Sequence, residues 1–182
     1  MTKLFARRKV LVAAAGAALS GLAGCGRVEG SVLPDVVLPA ISGLTGPNGW
    51  AVPGFASGEF RRGVALLNVW ASWCPYCQAE HDHLLRLSRD SRFRLLGLVY
   101  RDSEAKAAAY LRRTGNPFAA VARDDGQLSR AVGQRGVPGT YVVARSGRVL
   151  TAVRGAIDER SIEGRLMPAI RRALAGDETI DS

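Results

Sequence analysis

Residues 66–77 read Leu66-Leu67-Asn68-Val69-Trp70-Ala71-Ser72-Trp73-Cys74-Pro75-Tyr76-Cys77. Its first half is an apolar run long enough for one buried strand, and a Cys-x-x-Cys follows directly. Pro75 has a φ fixed near the helical value and lacks the N–H that a helix start leaves unpaired. The stretch therefore predicts a strand that ends near Trp70 and a helix that begins at Pro75.

The two thiols of this stretch have different expected roles. Cys74 stands at the start of the predicted helix, where unpaired N–H groups and the positive helix end stabilise a thiolate. Cys77 lies one turn later, inside the helix, and is expected to be the shielded resolving thiol. We therefore expect Cys74 to be the accessible nucleophile of a dithiol redox site.

A Cys-x-x-Cys is also half of many zinc sites, so a metal site is the alternative. Outside residues 74–83 the chain has one further cysteine, Cys25, and no histidine. On one short helix His81 and His83 point to different faces, so they do not complete a tetrahedral site with the two cysteines. The composition favours redox chemistry over a metal site.

The length, composition and net charge of the chain limit the classes of protein to which it can belong. The chain has 182 residues, 47% of them hydrophobic and 23% charged, which is one globular domain once a leader is set aside. The formal net charge is +9; four of the 25 basic residues lie in residues 1–24 and none of the 16 acidic ones does, so the remainder carries +5. Its arginines are scattered, which disfavours nucleic-acid binding.

Residues 1–24 are typical of an export signal, with Lys3 and residues 7–9 as the basic start and an apolar run at 10–24. That run is shorter than the roughly 20 residues of a membrane span. It ends in Leu22-Ala23-Gly24-Cys25, which resembles the bacterial lipoprotein cleavage box, so Cys25 is expected to carry a lipid. An uncleaved signal anchor with a bystander Cys25 stays open, as does the choice between general secretion and twin-arginine export.

The rest of the pattern alternates strands and helices. Residues 26–34 are expected to form a tether and residues 42–58 a loop. The last helix, capped by Asp158, is expected to present Ile162, Leu166, Ile170 and Leu174 to the core. Strands are predicted at 35–38, 64–70, 93–100, 118–122, 140–144 and 149–153, and helices at 75–87, 103–113, 127–132 and 158–176. This order predicts an α/β fold of three layers with a central mixed sheet.

A second motif is Gly136-Val137-Pro138-Gly139-Thr140, directly before a predicted hairpin strand. A proline there cannot belong to a central ladder, and a proline beside glycine is commonly only a turn. Together with the Cys-x-x-Cys about 60 residues upstream, it resembles the cis-proline loop of thioredoxin-like proteins. The resemblance implies that Pro138 is cis and that Val137 offers its backbone to an extended substrate.

A closer resemblance covers residues 33–176. The motifs that carry it are residues 66–77, Ala79-Glu80-His81, Tyr100-Arg101-Asp102, Gly115-Asn116-Pro117-Phe118 and Gly136-Val137-Pro138. They are similar to the CcmG/DsbE family, whose members are membrane-tethered periplasmic thiol:disulfide oxidoreductases of cytochrome c maturation. The resemblance implies a thioredoxin-like fold with an N-terminal extension and divides the chain into 1–24 (signal), 25–46 (tether and extension), 47–176 (domain) and 177–182 (tail).

The resemblance also implies a function and its partners. The protein would sit on the periplasmic side of the bacterial inner membrane and reduce the disulfide of apocytochrome c before haem attachment. A membrane donor protein would re-reduce the Cys74–Cys77 pair, with no other cofactor. Trp73, Pro75, Tyr76, Val137 and Pro138 would contact the substrate. The chain departs from the family at Gly139, where glutamate is usual, and at the anchor, where a lipid is expected in place of a transmembrane segment.

A proton must leave the shielded thiol when it attacks. Thioredoxins keep an acid beneath the cysteines, but Asn68 occupies the matching strand position and an amide cannot titrate. Glu80 lies three residues after Cys77 on the same predicted helix face, so it is the candidate base. Spacing alone also fits a solvated surface glutamate.

Two other functions remain open at this point. The same dithiol could serve a general reductase or an oxidase of other exported proteins. A copper or haem chaperone could instead use the thiols with His81 or His83. Tyr76 carries no charge at neutral pH, so the residues between the cysteines favour a reducing site over a strongly oxidising one.

Overall fold

The computed structural model describes residues 28–46 and 50–180. The predicted export signal and Cys25 lie outside the described residues. The strands are β1 Val37–Leu38, β2 Phe55–Ala56, β3 Ala65–Trp70, β4 Arg94–Tyr100, β5 Ala120–Asp124, β6 Gly139–Val143 and β7 Val149–Arg154. The helices are α1 Pro75–Ala79, α2 His81–Leu87, α3 Glu104–Thr114, α4 Gln127–Ala131, α5 Glu159–Ser161 and α6 Met167–Leu174, with a 3₁₀ helix at Ser57–Arg62 and a π-helix at Ile162–Leu166.

A five-stranded mixed sheet forms the centre, in the order β5-β4-β3-β6-β7. The β3–β4 and β4–β5 pairs are parallel, whereas β3–β6 and β6–β7 are antiparallel. The central strand β3 is buried along its whole length because both faces of the sheet are covered. The predicted mixed sheet flanked by helices is confirmed.

Side chains of β3 alternate between two apolar clusters, as expected for a strand. Leu66 and Trp70 join the cluster that also contains both cysteines and the buried residues of α3 and the C-terminal helices. Leu67 and Val69 join the opposite cluster, with the N-terminal segment, the 3₁₀ helix and α4. The thiols therefore lie on the face covered by α1 to α3 and the C-terminal helices.

The predicted helix at 75–87 is two helices that meet at Glu80. Its φ of −83° and ψ of −8° depart from regular helix geometry, although Leu84 N still donates to Glu80 O at 3.2 Å. The interruption falls where the Glu80 side chain turns inward and hydrogen-bonds to Asn68 of β3 and to the Ile157 backbone in the segment before α5. A sequence pattern cannot show hydrogen bonds between segments that are distant in the chain.

The expected tether is wrong from Val28 onward. Val28 and Leu33 are buried, and Gly30 N and Leu33 N donate to Val149 O and Gly147 O at 2.8 and 2.9 Å. The segment packs there because its few apolar side chains cover the β6–β7 hairpin. The limits of the four predicted regions stay predictions.

Three smaller predictions need correction. Residues 42–58 include β2 and the start of the 3₁₀ helix. The strand predicted at 118–122 starts at Ala120, because Asn116 Oδ1 accepts from Phe118 N at 3.0 Å and holds Phe118 in a turn. Asp158 caps the last helical segment as predicted, but Leu174 is 42% exposed and does not belong to the core stripe.

Among the described residues, no helix is long and apolar enough to cross a membrane.

Candidate active site

The two cysteines stand at the junction of β3 and α1, as predicted. Cys74 is the N-cap residue of α1, with φ −87° and ψ 116°, and Pro75 opens the helix. The Cys74 Sγ accepts a hydrogen bond from the backbone N–H of Cys77 at 3.3 Å. Both thiols are free, so the structure describes the reduced dithiol. Cys74 Sγ therefore lies at the start of α1, where it meets the unpaired backbone N–H groups of the first turn.

Cys74 is not the more exposed thiol, which corrects our expectation. Cys74 is 3% exposed and Cys77 is 4% exposed. The cover over Cys74 comes from a distant segment, since its Sγ donates to Val137 O at 3.6 Å. Trp73, Pro75 and Tyr76 beside it are exposed, Trp73 by 55% and Tyr76 by 69%. An incoming disulfide therefore meets these side chains and the Val137 loop before it reaches sulfur.

The loop that covers Cys74 has the predicted conformation: the Val137–Pro138 peptide bond is cis. The loop leads directly into β6, the antiparallel neighbour of β3. Pro138 O accepts from Gly155 N at 3.0 Å, which fixes the loop to the end of β7. Val137 and Pro138 are thus brought to the thiols, where the resemblance placed them.

Cys77 is held in its protonated form. Burial is the largest cause that raises the pKa of its thiol, and the hydrogen bond with Cys74 and the negative charge of Glu80 raise it further. The Ala71 backbone opposes these effects only in part. Cys77 therefore needs a base before it can attack a mixed disulfide.

Glu80 is buried, acts electrostatically on the Cys77 thiol and is not a solvated surface charge. The residue is 1% exposed; its Oε1 accepts from Asn68 Nδ2 and its Oε2 from Ile157 N, each at 2.8 Å. Burial raises the pKa of Glu80 to about 7, although both hydrogen bonds act in the opposite direction. A carboxyl group that titrates near neutral pH can both take and return a proton.

Asn68, Thr140 and Ile157 hold Glu80 in place, a role that the sequence did not predict. Asn68 Nδ2 also donates to Thr140 Oγ1 at 3.0 Å, so β3 and β6 jointly hold the amide that holds Glu80. Asn68 itself offered a signal, since a fully buried amide in an apolar strand needs partners. The Ile157 N–H offered none, because a backbone donor carries no residue-type signature.

A second set of contacts fixes the loop before Cys74. Ser72 N donates to Asp102 Oδ2 at 2.7 Å, and Trp73 Nε1 donates to Arg101 O at 3.1 Å. Both acceptors lie directly after β4, so the parallel β3–β4 pair brings them to the same edge of the sheet. The exposed Trp73 ring is therefore oriented beside the thiols.

The two histidines are packing and surface residues. His81 is buried, with its Nε2 3.1 Å from Gly115 O and its ring edge-on to Tyr110 at 5.2 Å. His83 contacts Arg86 and Glu159. Within residues 28–46 and 50–180, no three His, Cys, Asp or Glu side chains form a group that could hold a metal ion.

Comparison with known proteins agrees with this geometry. The Redoxin family model matches residues 52–166. The thiol:disulfide interchange protein DsbE homolog of Paracoccus denitrificans is 37% identical over 116 residues, 63% of this chain and 64% of that protein. DsbE of Escherichia coli K12 is 38% identical over 104 residues, 57% of this chain and 56% of that protein. The match thus spans less than two thirds of either relative's length.

A solved structure from Chlorobium tepidum, named for a thiol:disulfide interchange protein DsbE, has the same fold. It superposes with a TM-score of 0.61 at 26% identity and covers 80% of this chain and 97% of that one. The expected thioredoxin-like architecture is thereby confirmed. Sequence, site and comparisons agree that this chain belongs to the Redoxin family and that it is similar to the DsbE proteins within it.

Proposed function

We propose that the protein is a thiol:disulfide oxidoreductase that reduces disulfides of exported client proteins. The observation that carries the proposal is the pairing of a protonated Cys77 with a buried Glu80 whose pKa is about 7. Cys74, at the start of α1, supplies the nucleophile, and the Val137 loop supplies a backbone edge for the client.

The reaction proceeds in two exchanges. The Cys74 thiolate attacks one sulfur of the client disulfide; that S–S bond breaks, a Cys74–client bond forms, and the first client thiolate leaves. Glu80 then takes the Cys77 proton, and Cys77 attacks Cys74 Sγ. The mixed disulfide breaks, the second client thiolate leaves, and protons return to the client sulfurs. Two electrons pass to the client and a Cys74–Cys77 disulfide remains.

For the client, the proposal adopts what the family resemblance implies. The client is apocytochrome c, whose disulfide must be reduced before haem is attached, and a membrane protein re-reduces the Cys74–Cys77 disulfide. The reaction then takes place on the periplasmic side of the inner membrane. The likeness of the named relatives and the uncharged Pro75–Tyr76 pair between the cysteines support this direction of electron flow.

The reduction potential of the Cys74–Cys77 pair tests the proposed direction of electron flow. We expect a value between about −120 mV and about −270 mV, nearer the second, because nothing between the cysteines adds a positive charge to stabilise the thiolate. Since about 30 mV corresponds to about 1.4 kcal/mol for two electrons, the difference from an oxidase is several kcal/mol. Equilibration with glutathione followed by quantification of free thiols measures the potential.

A potential near −120 mV would identify an oxidase instead. The client is tested separately by mixing the reduced protein with oxidised apocytochrome c and a second disulfide protein. Equal rates for both clients would support the alternative of a general reductase. Stoichiometric copper or haem binding that survives oxidation of the thiols would support the chaperone alternative.

The proposed lipid anchor at Cys25 is tested with one substitution. We expect the mature protein to partition into the detergent phase, because acylation adds about 0.8 kcal/mol of membrane affinity per buried CH₂. Cys25→Ala should leave an unprocessed precursor. Mass spectrometry of the N-terminus measures the outcome. A mature chain that begins elsewhere and stays in the aqueous phase would reject the anchor.

A further inference from the structure

A cavity of about 520 Å³ opens beside the cis-proline loop. Its walls are residues 133–138, with Arg154 and Gly155 from the end of β7. The same loop places Val137 O 3.6 Å from Cys74 Sγ, so one wall of the cavity belongs to the loop that covers the reacting sulfur. The hydrogen bond from Gly155 N to Pro138 O joins its two walls.

An extended client segment must pass this cavity. Pairing with the Val137 backbone aligns the segment with the loop, and alternate side chains of an extended segment point to the same side. A side chain two residues from the attacked cysteine therefore lies on the same side as that cysteine, within reach of the loop walls. The cavity is placed to select that side chain.

Among the described residues, the charged groups that line the cavity are Arg135 and Arg154, both cationic. Arg154 lies over the loop, since a Cβ built on Gly133 would be 3.6 Å from its Nη2. Arg154 also hydrogen-bonds to the Tyr141 hydroxyl. Glu29 acts electrostatically on Tyr141 but does not line the cavity.

Gln134 and the glycines explain why the cavity is open and why none of its described walls carries an acid. A Cβ on Gly136 or Gly155 would meet nothing within 4 Å. At Gly139, by contrast, a Cβ would lie 2.5–2.8 Å from the Gln134 side chain. Gln134 accepts from Tyr141 OH and donates to Gly136 O, so an amide occupies the space that an acidic side chain at 139 would need.

We propose that this cavity is a subsite for a carboxylate side chain of the bound client, held by Arg135 and Arg154. The assignment rests on the proposed function, because a client must occupy the Val137 edge. It names the client class as disulfide segments with an acidic residue close to the attacked cysteine.

The test uses peptides closed by an internal disulfide that differ at one position, two residues before or after the first cysteine, as Glu, Gln or Lys. The reduced protein is mixed with each peptide, and the single-turnover rate constant is measured by acid quench. We expect the Glu peptide to react about 5- to 10-fold faster than the Gln peptide at one of the two positions, and the Lys peptide to react more slowly.

Arg135→Gln/Arg154→Gln should bring the ratio of the Glu-peptide rate to the Gln-peptide rate close to one, and the matching lysine pair should restore part of the preference. Arg135→Gln alone should weaken the preference, which keeps the test available if loss of Arg154 disturbs Tyr141. Arg165→Gln/Arg171→Gln is the matched control, because both side chains are exposed on the C-terminal helical segment and the charge change is equal.

Equal rates for the Glu and Gln peptides at both positions would overturn the subsite and leave the reductase intact. The subsite is also overturned if the control pair loses the preference as the Arg135/Arg154 pair does, since general charge attraction would then explain it. Failure to reduce any peptide faster than free glutathione does would instead overturn the proposed function, and the subsite with it.

Discussion

Cys77→Ser is expected to stop client release and to leave the client attached to Cys74. Without the second thiol, the mixed disulfide has no internal nucleophile, so turnover should fall by at least about 10³-fold, to the rate set by slow external thiols. Cys74 keeps its position at the start of α1, so the first exchange should proceed. Non-reducing electrophoresis and mass spectrometry of the trapped adduct measure both effects.

Cys74→Ser is the matched control, because it removes the other sulfur of the pair with the same change in size. It should trap no client, since the remaining Cys77 thiol is buried and its pKa is raised. Trapping by Cys74→Ser and not by Cys77→Ser would reverse the two roles. Identification of the adduct from cells also names the client, and an adduct without cytochrome would reject apocytochrome c.

The features predicted correctly from the sequence are those written in short stretches. An apolar run, a Cys-x-x-Cys and Pro75 specify a strand, a cap and a helix start within 12 residues, and the β3–α1 junction follows them. The cis Val137–Pro138 bond was predicted by resemblance to a loop, together with the rule that proline avoids central ladders. The first feature is local, whereas the second was recognised only in combination with the Cys-x-x-Cys about 60 residues upstream.

The features that could not be predicted depend on which distant segments meet. Cys74 is buried because Val137, 63 residues later, lies over it, and a helix N-terminus alone suggests exposure. Val28 and Leu33 were predicted to lie in a polar tether. Two isolated apolar residues form no periodic pattern in the sequence, and their packing partner is the distant hairpin near Val149. Leu174 continues a helical period past the point at which the core ends.

For Glu80, the sequence predicted the residue but not its environment. Its spacing from Cys77 identified the candidate, but spacing does not distinguish a buried base from a surface charge. The contacts with Asn68 and Ile157 decide between them, and the second is 77 residues away. Burial then sets the property that matters for the reaction, a pKa of about 7.

Glu80→Gln is expected to slow the second exchange by about 10²-fold at neutral pH, because an amide cannot accept the Cys77 proton. In the native protein, release should accelerate as the pH rises through about 7, where the carboxylate forms, and the variant should lack this step. Formation of the mixed disulfide should be little changed. Rapid-quench kinetics from pH 5 to pH 9 separate the two exchanges.

We expect the Glu80→Gln variant to fold, and its free energy of unfolding tests this. The introduced glutamine side chain fits the site if the Asn68 amide turns: the Asn68 Oδ1, which has no hydrogen-bond partner among the described residues, then accepts from the new amide, and Ile157 N donates to the new carbonyl. Glu163→Gln, at an exposed position of the π-helix, is the matched control for the loss of one carboxylate. It should leave both exchanges unchanged.

The pH dependence of unfolding has a definite sign. The pKa of Glu80 is about 7 in the folded chain, above its ordinary value of 4.5, so between these pH values the folded state holds a proton that the unfolded state releases. The stabilisation is fully present below pH 4.5 and is lost as the pH rises through about 7. Relative to Glu80→Gln, the native protein should lose about 3 kcal/mol of unfolding free energy between about pH 4.5 and about pH 8. Denaturant unfolding of both proteins across this range measures the difference. A parallel pH dependence, with an unchanged second exchange, would mean that Glu80 does not carry the proton and that Cys77 is deprotonated by solvent.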